Sequence, residues 1–225
     1  MSRRRQTDYS EKHESGFNPK GVVARSENQK AYIEAILSND IIFCEGPAGT
    51  GKTHVAVGIG SSLLRKNAIE RIVVTRPVVE VGNSIGYLPG TMEEKVGPYL
   101  TPLFDELGKF IQQKKLKALV ANKDVEISPL SMMRGRTFTN AVVICDECQN
   151  ATAMELKMLL TRIGEGSTII AIGDLSQSDL PPSQRGAFET CMERLEGVEG
   201  ITKVQLTKDD IVRHRLINII NERLG

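Results

Sequence analysis

Tryptophan is absent, and aromatic residues make up only 4% of the chain. Rows of aromatic rings, on which many single-strand binders stack bases, are therefore in short supply. An excess of one charge is also lacking: 29 basic residues stand against 28 acidic ones, leaving a net charge of +1. A coat built for tight DNA binding would be strongly basic, so any nucleic-acid contact has to come from a local patch. No apolar run approaches the length of a membrane span. The polar opening, with Arg3, Arg4 and Arg5 close to the start, has no apolar h-region of a secretory signal. These absences predict a cytoplasmic protein with no membrane contact.

Cysteine is too sparse for a disulfide framework in a chain of 225 residues: Cys44, Cys145, Cys148 and Cys191 are the four present. Cys145 and Cys148 form a C-x-x-C, but zinc would need two more ligands, and His13, His54 and His214 are scattered. Reduced thiols in a cytosolic protein are the expectation.

What is present is an ordinary globular composition, 40% hydrophobic and 25% charged. Residues 1–20 cannot bury apolar surface and read as a mobile tail. From residue 21 to 225, strand-like and helix-like segments alternate, the pattern of an α/β domain. A helix is predicted over Glu27–Leu37, a strand over Ile41–Cys44, a helix over Lys52–Arg65 and a strand over Ile72–Thr75. Residues 83–123 break the alternation with a turn at Gly86–Gly90 and apolar positions at helical spacing between Pro98 and Val120. Strands at Val125–Ile127, Ala141–Cys145 and Thr168–Ile172, a helix at Ala153–Ile163 and a strand-helix pair at Lys203–Leu224 complete the set. The expected architecture is a single RecA-like P-loop NTPase domain, a parallel sheet flanked by helices, with a helical insertion.

Gly46, Pro47, Ala48, Gly49, Thr50, Gly51, Lys52 and Thr53 match G-x-x-x-x-G-K-[ST] in full, between an apolar strand and an apolar helix. Glycines let successive backbone N–H groups turn inward on phosphates, and the helix that follows adds its positive end. Lys52 is expected to reach the β- and γ-phosphates of ATP, and the Thr53 hydroxyl to ligate Mg²⁺. His54, next in the chain, is grouped with the nucleotide-binding residues.

The run Val142–Cys145 reads as a buried strand that delivers Asp146 and Glu147 at its carboxyl end. In a parallel sheet that end forms the ligand crevice. Asp146 is assigned to Mg²⁺ and Glu147 to the general base that activates water. Glu45, which abuts the loop, is a weaker candidate. A further strand stops at Gly173-Asp-Leu-Ser-Gln177, whose acid and amide could face the γ-phosphate, and Gln29 lies on a helix upstream of the loop. From the residues alone, Gln177 is balanced against a plain turn, and for Gln29 a solvated helix face is the better reading.

The order of these pieces resembles the PhoH family of P-loop ATPases, related to superfamily-1 helicase motors. The resemblance rests on Gln29, residues 46–53, Thr75-Arg-Pro77, GYLPG with the EK and PYL that follow (86–100), SPLSMMRGRTF (128–138), CDECQN (145–150), GDLSQSD (173–179) and DIVRH (210–214). Cys148 departs from the D-E-A-Q more usual in the family, small for small. The resemblance implies that Gln29 reads adenine, that Gln177 couples nucleotide state to movement, and that Arg213 faces a phosphate as a catalytic arginine. It also implies that Arg76, Arg134 and Arg136 sit where helicase relatives touch nucleic acid. His214 is expected to be structural. The ribonuclease domain that some members carry has no counterpart, so nuclease activity is not expected.

Three functions compete at this point. One is a Mg²⁺-dependent ATPase acting on RNA or single-stranded nucleic acid, with the active unit a homo-oligomer, a six-membered ring. The second is an oligomeric, nucleotide-dependent switch or scaffold that hydrolyses ATP slowly and binds a protein partner. A small-molecule kinase ranks last, since two acids and a G-D-x-x-Q turn suit water activation better.

Overall fold

The computed structural model describes residues 16–18, 21–78, 92–211 and 223, with the side chains of 92–96 left aside. Six strands, β1 (Ile41–Glu45), β2 (Arg71–Arg76), β3 (Val125–Pro129), β4 (Ala141–Cys145), β5 (Thr168–Gly173) and β6 (Ile201–Gln205), form one sheet in the order β3-β2-β4-β5-β1-β6. Every neighbouring pair runs parallel. A parallel sheet needs cover on both faces, which is why its inner strands read as unbroken apolar runs. Alternate residues divide between the two faces: Ile42, Ile72, Val74, Val142, Ile144, Ile170 and Ile172 pack on one, and Ile41, Phe43, Val73, Val143, Ile169 and Ala171 on the other.

The first face is covered by α1 (Glu27–Ser38), α2 (Lys52–Arg65), α3 (Met92–Gly108) and α4 (Gln113–Ala121), through residues such as Tyr32, Val55, Leu103 and Leu116. The second is covered by α5 (Ala153–Leu160) and α6 (Ala187–Arg194), through Leu156, Leu159, Phe188 and Met192. Local signals set the helix starts. Ser26 caps α1 by accepting from the Gln29 backbone N–H, and Thr152 and Glu155 form a reciprocal capping box on α5.

The single parallel sheet flanked by helices follows the sequence expectation, as does a helical insertion between β2 and β3. The insertion is two helices, α3 and α4, separated by the buried Phe110 and Ile111, and both pack on β3. Helix α6 was not anticipated. Within the stretch expected to be a mobile tail, residues 16–18 pack onto the insertion: Phe17 is buried and bridges Ile111, and the Asn18 N–H donates to the Phe110 carbonyl over 2.6 Å. The rest of residues 1–20, the Gly86–Gly90 turn and the helical part of the segment ending at Leu224, apart from Arg223, lie outside the described residues. No helix is long and apolar enough to cross a membrane among the described residues.

Candidate nucleotide-binding and hydrolytic site

The strand order places β5 between β1 and β4, so the carboxyl ends of three adjacent strands converge on one edge. A cavity of about 550 Å³ opens there, lined by the phosphate loop, Gln29, His54, Asp146, Glu147, Asp174 and Gln177 and by Glu106 and Lys109 from the insertion.

The loop from Gly46 to Gly51 leaves β1 and enters α2 with Gly51 in the left-handed region, at φ 85°. At Gly46, a Cβ would stand 2.4 Å from the carbonyl oxygen of Leu206, so a side chain there would push the loop off the sheet. The Lys52 ammonium folds back to donate to the carbonyls of Gly46 and, over 2.9 Å, Pro47. Burial lowers its pKa, opposed by neighbours that include Asp174, Asp146 and Glu147. A half-buried cation held only by backbone carbonyls is a fit for an anionic ligand.

The Thr53 hydroxyl donates to Asp146 Oδ1 over 2.9 Å. Burial, with the Glu147 carboxylate beside it, pushes the Asp146 carboxyl up to about 6, against the bond from Thr53. A hydroxyl and a carboxylate in contact form a hard oxygen pair of the kind Mg²⁺ takes. Those two side chains fit the ion.

Glu147 has left-handed backbone, φ 58° and ψ 41°, uncommon for a residue with a side chain. Both its carboxylate oxygens are engaged. Oε1 lies 3.2 Å from Arg76 Nη2, and Oε2 accepts from Gln149 Nε2 over 2.5 Å. Gln149 is buried; its Oε1 accepts from the Asp174 N–H over 3.0 Å, and its Nε2 also donates to the Gln177 carbonyl over 3.2 Å. One amide therefore joins the acid of β4 to the turn after β5. In that turn Asp174 Oδ1 accepts from the N–H and hydroxyl of Ser176, while Oδ2 is buried with no hydrogen-bond partner. An unpartnered buried carboxylate oxygen facing this cavity is a site for a donor that arrives with a ligand.

Gln29 is buried at 3% exposure, on α1 rather than on a solvated face of it. Its Nε2 donates to the Thr50 carbonyl over 2.8 Å and its Oε1 accepts from the Arg25 N–H over 2.8 Å. It thereby braces the phosphate loop, with one N–H and one lone pair left for a ligand. His54 Nδ1 lies 2.7 Å from Glu106 Oε1, and Lys109 Nζ lies 2.6 Å from Glu106 Oε2. Burial works to raise the Glu106 carboxyl, but the bonds from His54 and Lys109 prevail and hold it low.

The three arginines assigned to nucleic acid separate. Arg76 pairs with Glu147 at the edge of the site. Arg136 makes a two-pronged ion pair with Glu126 and stacks on Phe138, 4.8 Å from the ring centre. Arg134 is exposed. Arg213 and His214 lie outside the described residues. Cys145 and Cys148 are buried, the Cys148 thiol donating to the Cys145 carbonyl. Glu106 and Lys109 join the site without having been singled out in the sequence, and Gln149 stood only within the CDECQN run, with no role given to it. Gln149 carries a faint signal as an uncharged polar residue two places after Glu147.

The family model for PhoH-like proteins matches residues 21–224. A PhoH-like protein of Synechocystis sp. is 45% identical over 201 residues, covering 89% of this chain and 61% of that protein. One of Bacillus subtilis is 42% identical over 214 residues, covering 95% and 67%. Protein PhoH of Escherichia coli is 42% identical over 199 residues, covering 87% and 56%. The chain thus spans between 56% and 67% of the length of these relatives. Among solved structures, the large terminase of a thermophilic bacteriophage superposes with a TM-score of 0.50 at 14% identity, covering 89% of this chain and 50% of that one, a likeness of fold.

Proposed function

The chain belongs to the PhoH-like family, and from that premise we propose that it binds ATP with Mg²⁺ and hydrolyses it, as an oligomeric ATPase acting on RNA or single-stranded nucleic acid. The observation that carries the reading is the contact between Thr53 and Asp146 at 2.9 Å, in the same cavity as Lys52 and Glu147. Cation, metal-ligand pair and second acid meet where two distant strands end.

Gly46 to Gly51 and the first turn of α2 hold the phosphates by backbone N–H groups, and Lys52 exchanges its loop carbonyls for phosphate oxygens. Thr53 and Asp146 would hold Mg²⁺, which when bound draws charge from the phosphate oxygens. Glu147 accepts the proton of the attacking water as its oxygen bonds to the γ-phosphorus. The bond to the bridging oxygen breaks, and ADP leaves with that electron pair. Gln149 orients Glu147, and through it Asp174 and Gln177 sense whether the γ-phosphate is present. Gln29 meets adenine with its remaining donor and acceptor.

Superfamily-1 motors close ATP between two RecA-like walls, and the described residues form one. A neighbouring copy supplies the second in a head-to-tail contact that closes into a six-membered ring. Arg213 is the candidate to face the γ-phosphate. A slower, partner-gated switch is the second reading, favoured by the engagement of both Glu147 oxygens. ATP turnover with and without single-stranded RNA or DNA, at two salt concentrations, separates them: a salt-sensitive stimulation belongs to the nucleic-acid ATPase.

A further inference from the structure

Glu147 faces the cavity, whereas Arg76 does not line it and reaches Glu147 from the side, at the end of β2. The register brings the two strand ends side by side. β2 pairs with β4 as far as Thr75 opposite Cys145, and the Asp146 N–H still donates to the Thr75 carbonyl over 2.9 Å. The next residues on the two strands are Arg76 and the acids. The left-handed turn at Glu147 then sets its carboxylate 3.2 Å from the guanidinium.

We propose that Arg76 latches Glu147, and that a nucleic-acid phosphate taking Arg76 away releases the carboxylate to accept a proton from water. This inference rests on Glu147 being the general base. While Oε1 is held 3.2 Å from the guanidinium, the carboxylate is not free to turn onto a water in the cavity. The guanidinium forms the same planar, forked bonds to a phosphate as to a carboxylate, so the two compete for it. The pair is also reachable, with side-chain exposures of 25% for Arg76 and 33% for Glu147. Arg76 stands opposite Pro129 of β3, at the end of the strand pair. Arg136 is already committed to Glu126 and cannot serve as a substitute. The second oxygen of Glu147 stays on Gln149, so release from Arg76 frees the base without unmooring it.

The test is steady-state ATP turnover by the full chain, wild type and Arg76→Gln, with poly(U), poly(dT), polyglutamate or no polymer. The latch predicts a slow wild type that poly(U) or poly(dT) accelerates, and an Arg76→Gln protein that is about 5-fold or more faster without polymer and gains nothing from it. A variant no faster than wild type in the absence of polymer overturns the latch. Stimulation of the wild type by polyglutamate alone, or by no polymer at all, overturns the choice of a nucleic-acid partner and with it the proposal. A second measurement leaves Arg76 in place. Coupling is reciprocal, so Glu147→Gln, which loses the competing charge, should bind poly(U) or poly(dT) about 5-fold or more tightly than wild type without nucleotide. Equal or weaker binding to both contradicts the latch even if Arg76→Gln fails to fold. Turnover in Glu147→Gln tells the two failures apart: an active protein refutes the base itself, and an inactive one alongside an unaccelerated Arg76→Gln refutes the latch alone.

Discussion

Thr53 and Asp146 are 93 positions apart in the chain and 2.9 Å apart in space, hydroxyl to carboxylate. The contact joins the first turn of α2 to the end of β4, with β5 lying between β4 and the strand that feeds the loop. Asp146→Asn keeps the shape and removes the charge. It should weaken ATP binding in Mg²⁺ by about 10-fold or more, the scale of a lost contact to a charged group. Binding of ADP in EDTA should change little. Titration calorimetry with and without Mg²⁺ checks this, and equal losses in both conditions would remove Asp146 from the metal.

Gln29 braces the phosphate loop and is proposed to meet adenine as well. Gln29→Ala strands the Thr50 carbonyl and the Arg25 N–H, which should destabilise the protein by about 1–3 kcal/mol. The same variant should bind GTP and ATP with more nearly equal affinity, because guanine offers acceptors where adenine offers a donor and an acceptor. Melting curves and competition binding measure the two effects separately. A wild type that already binds ATP and GTP alike would refute the adenine contact and leave the brace standing.

The Glu126–Arg136 pair sets an acid limit. The bond from Arg136 holds the Glu126 carboxyl below its ordinary 4.5, against burial. The folded chain then binds that proton less readily than the unfolded one, so the pair stabilises above pH 4.5 and fades as pH falls through the folded value. Wild type should melt above Glu126→Gln at pH 7 by about 2–4 °C, with the gap closing as pH falls below 4.5. A gap that is constant with pH would contradict the assignment.

If Arg213 acts across a subunit boundary, activity can be rebuilt from two inactive proteins. Lys52→Ala should not bind nucleotide and Arg213→Ala should bind without turnover. Mixed, they should regain turnover at the shared boundaries where an intact loop meets an intact arginine. Removal of such an arginine costs about 10³–10⁵ in rate in P-loop proteins. Sedimentation should show an assembly well above 24.8 kDa. A fully active monomer would refute the ring.

The loop and the acid pair were legible because their spacing is local: eight consecutive residues, and two at the end of an apolar strand. Most strand limits followed from the same contrast between apolar runs and polar turns. Helix α6 escaped because only Phe188 and Met192, one turn apart, are buried in a short, highly charged segment. Phe17 escaped because its partner Ile111, like the Phe110 carbonyl that Asn18 meets, lies far along the chain. The role of Gln149 was not legible for a related reason: its bonds run to Glu147 nearby but also to Asp174 and Gln177, and no periodicity encodes a pairing across strands. Gln29 shows the converse, since what read as a solvated helix face is a buried amide under the loop.

The central claim is that Glu147 is the base of an ATPase, and Glu147→Gln tests it most directly. A glutamine in that place keeps its size and its neighbours but does not take a proton. The measurement is ATP affinity and single-turnover hydrolysis in the same preparation, with saturating Mg²⁺. The account predicts binding at wild-type strength or better and hydrolysis slower by about 10²–10⁴. Hydrolysis at the wild-type rate by a protein that binds ATP normally would contradict it.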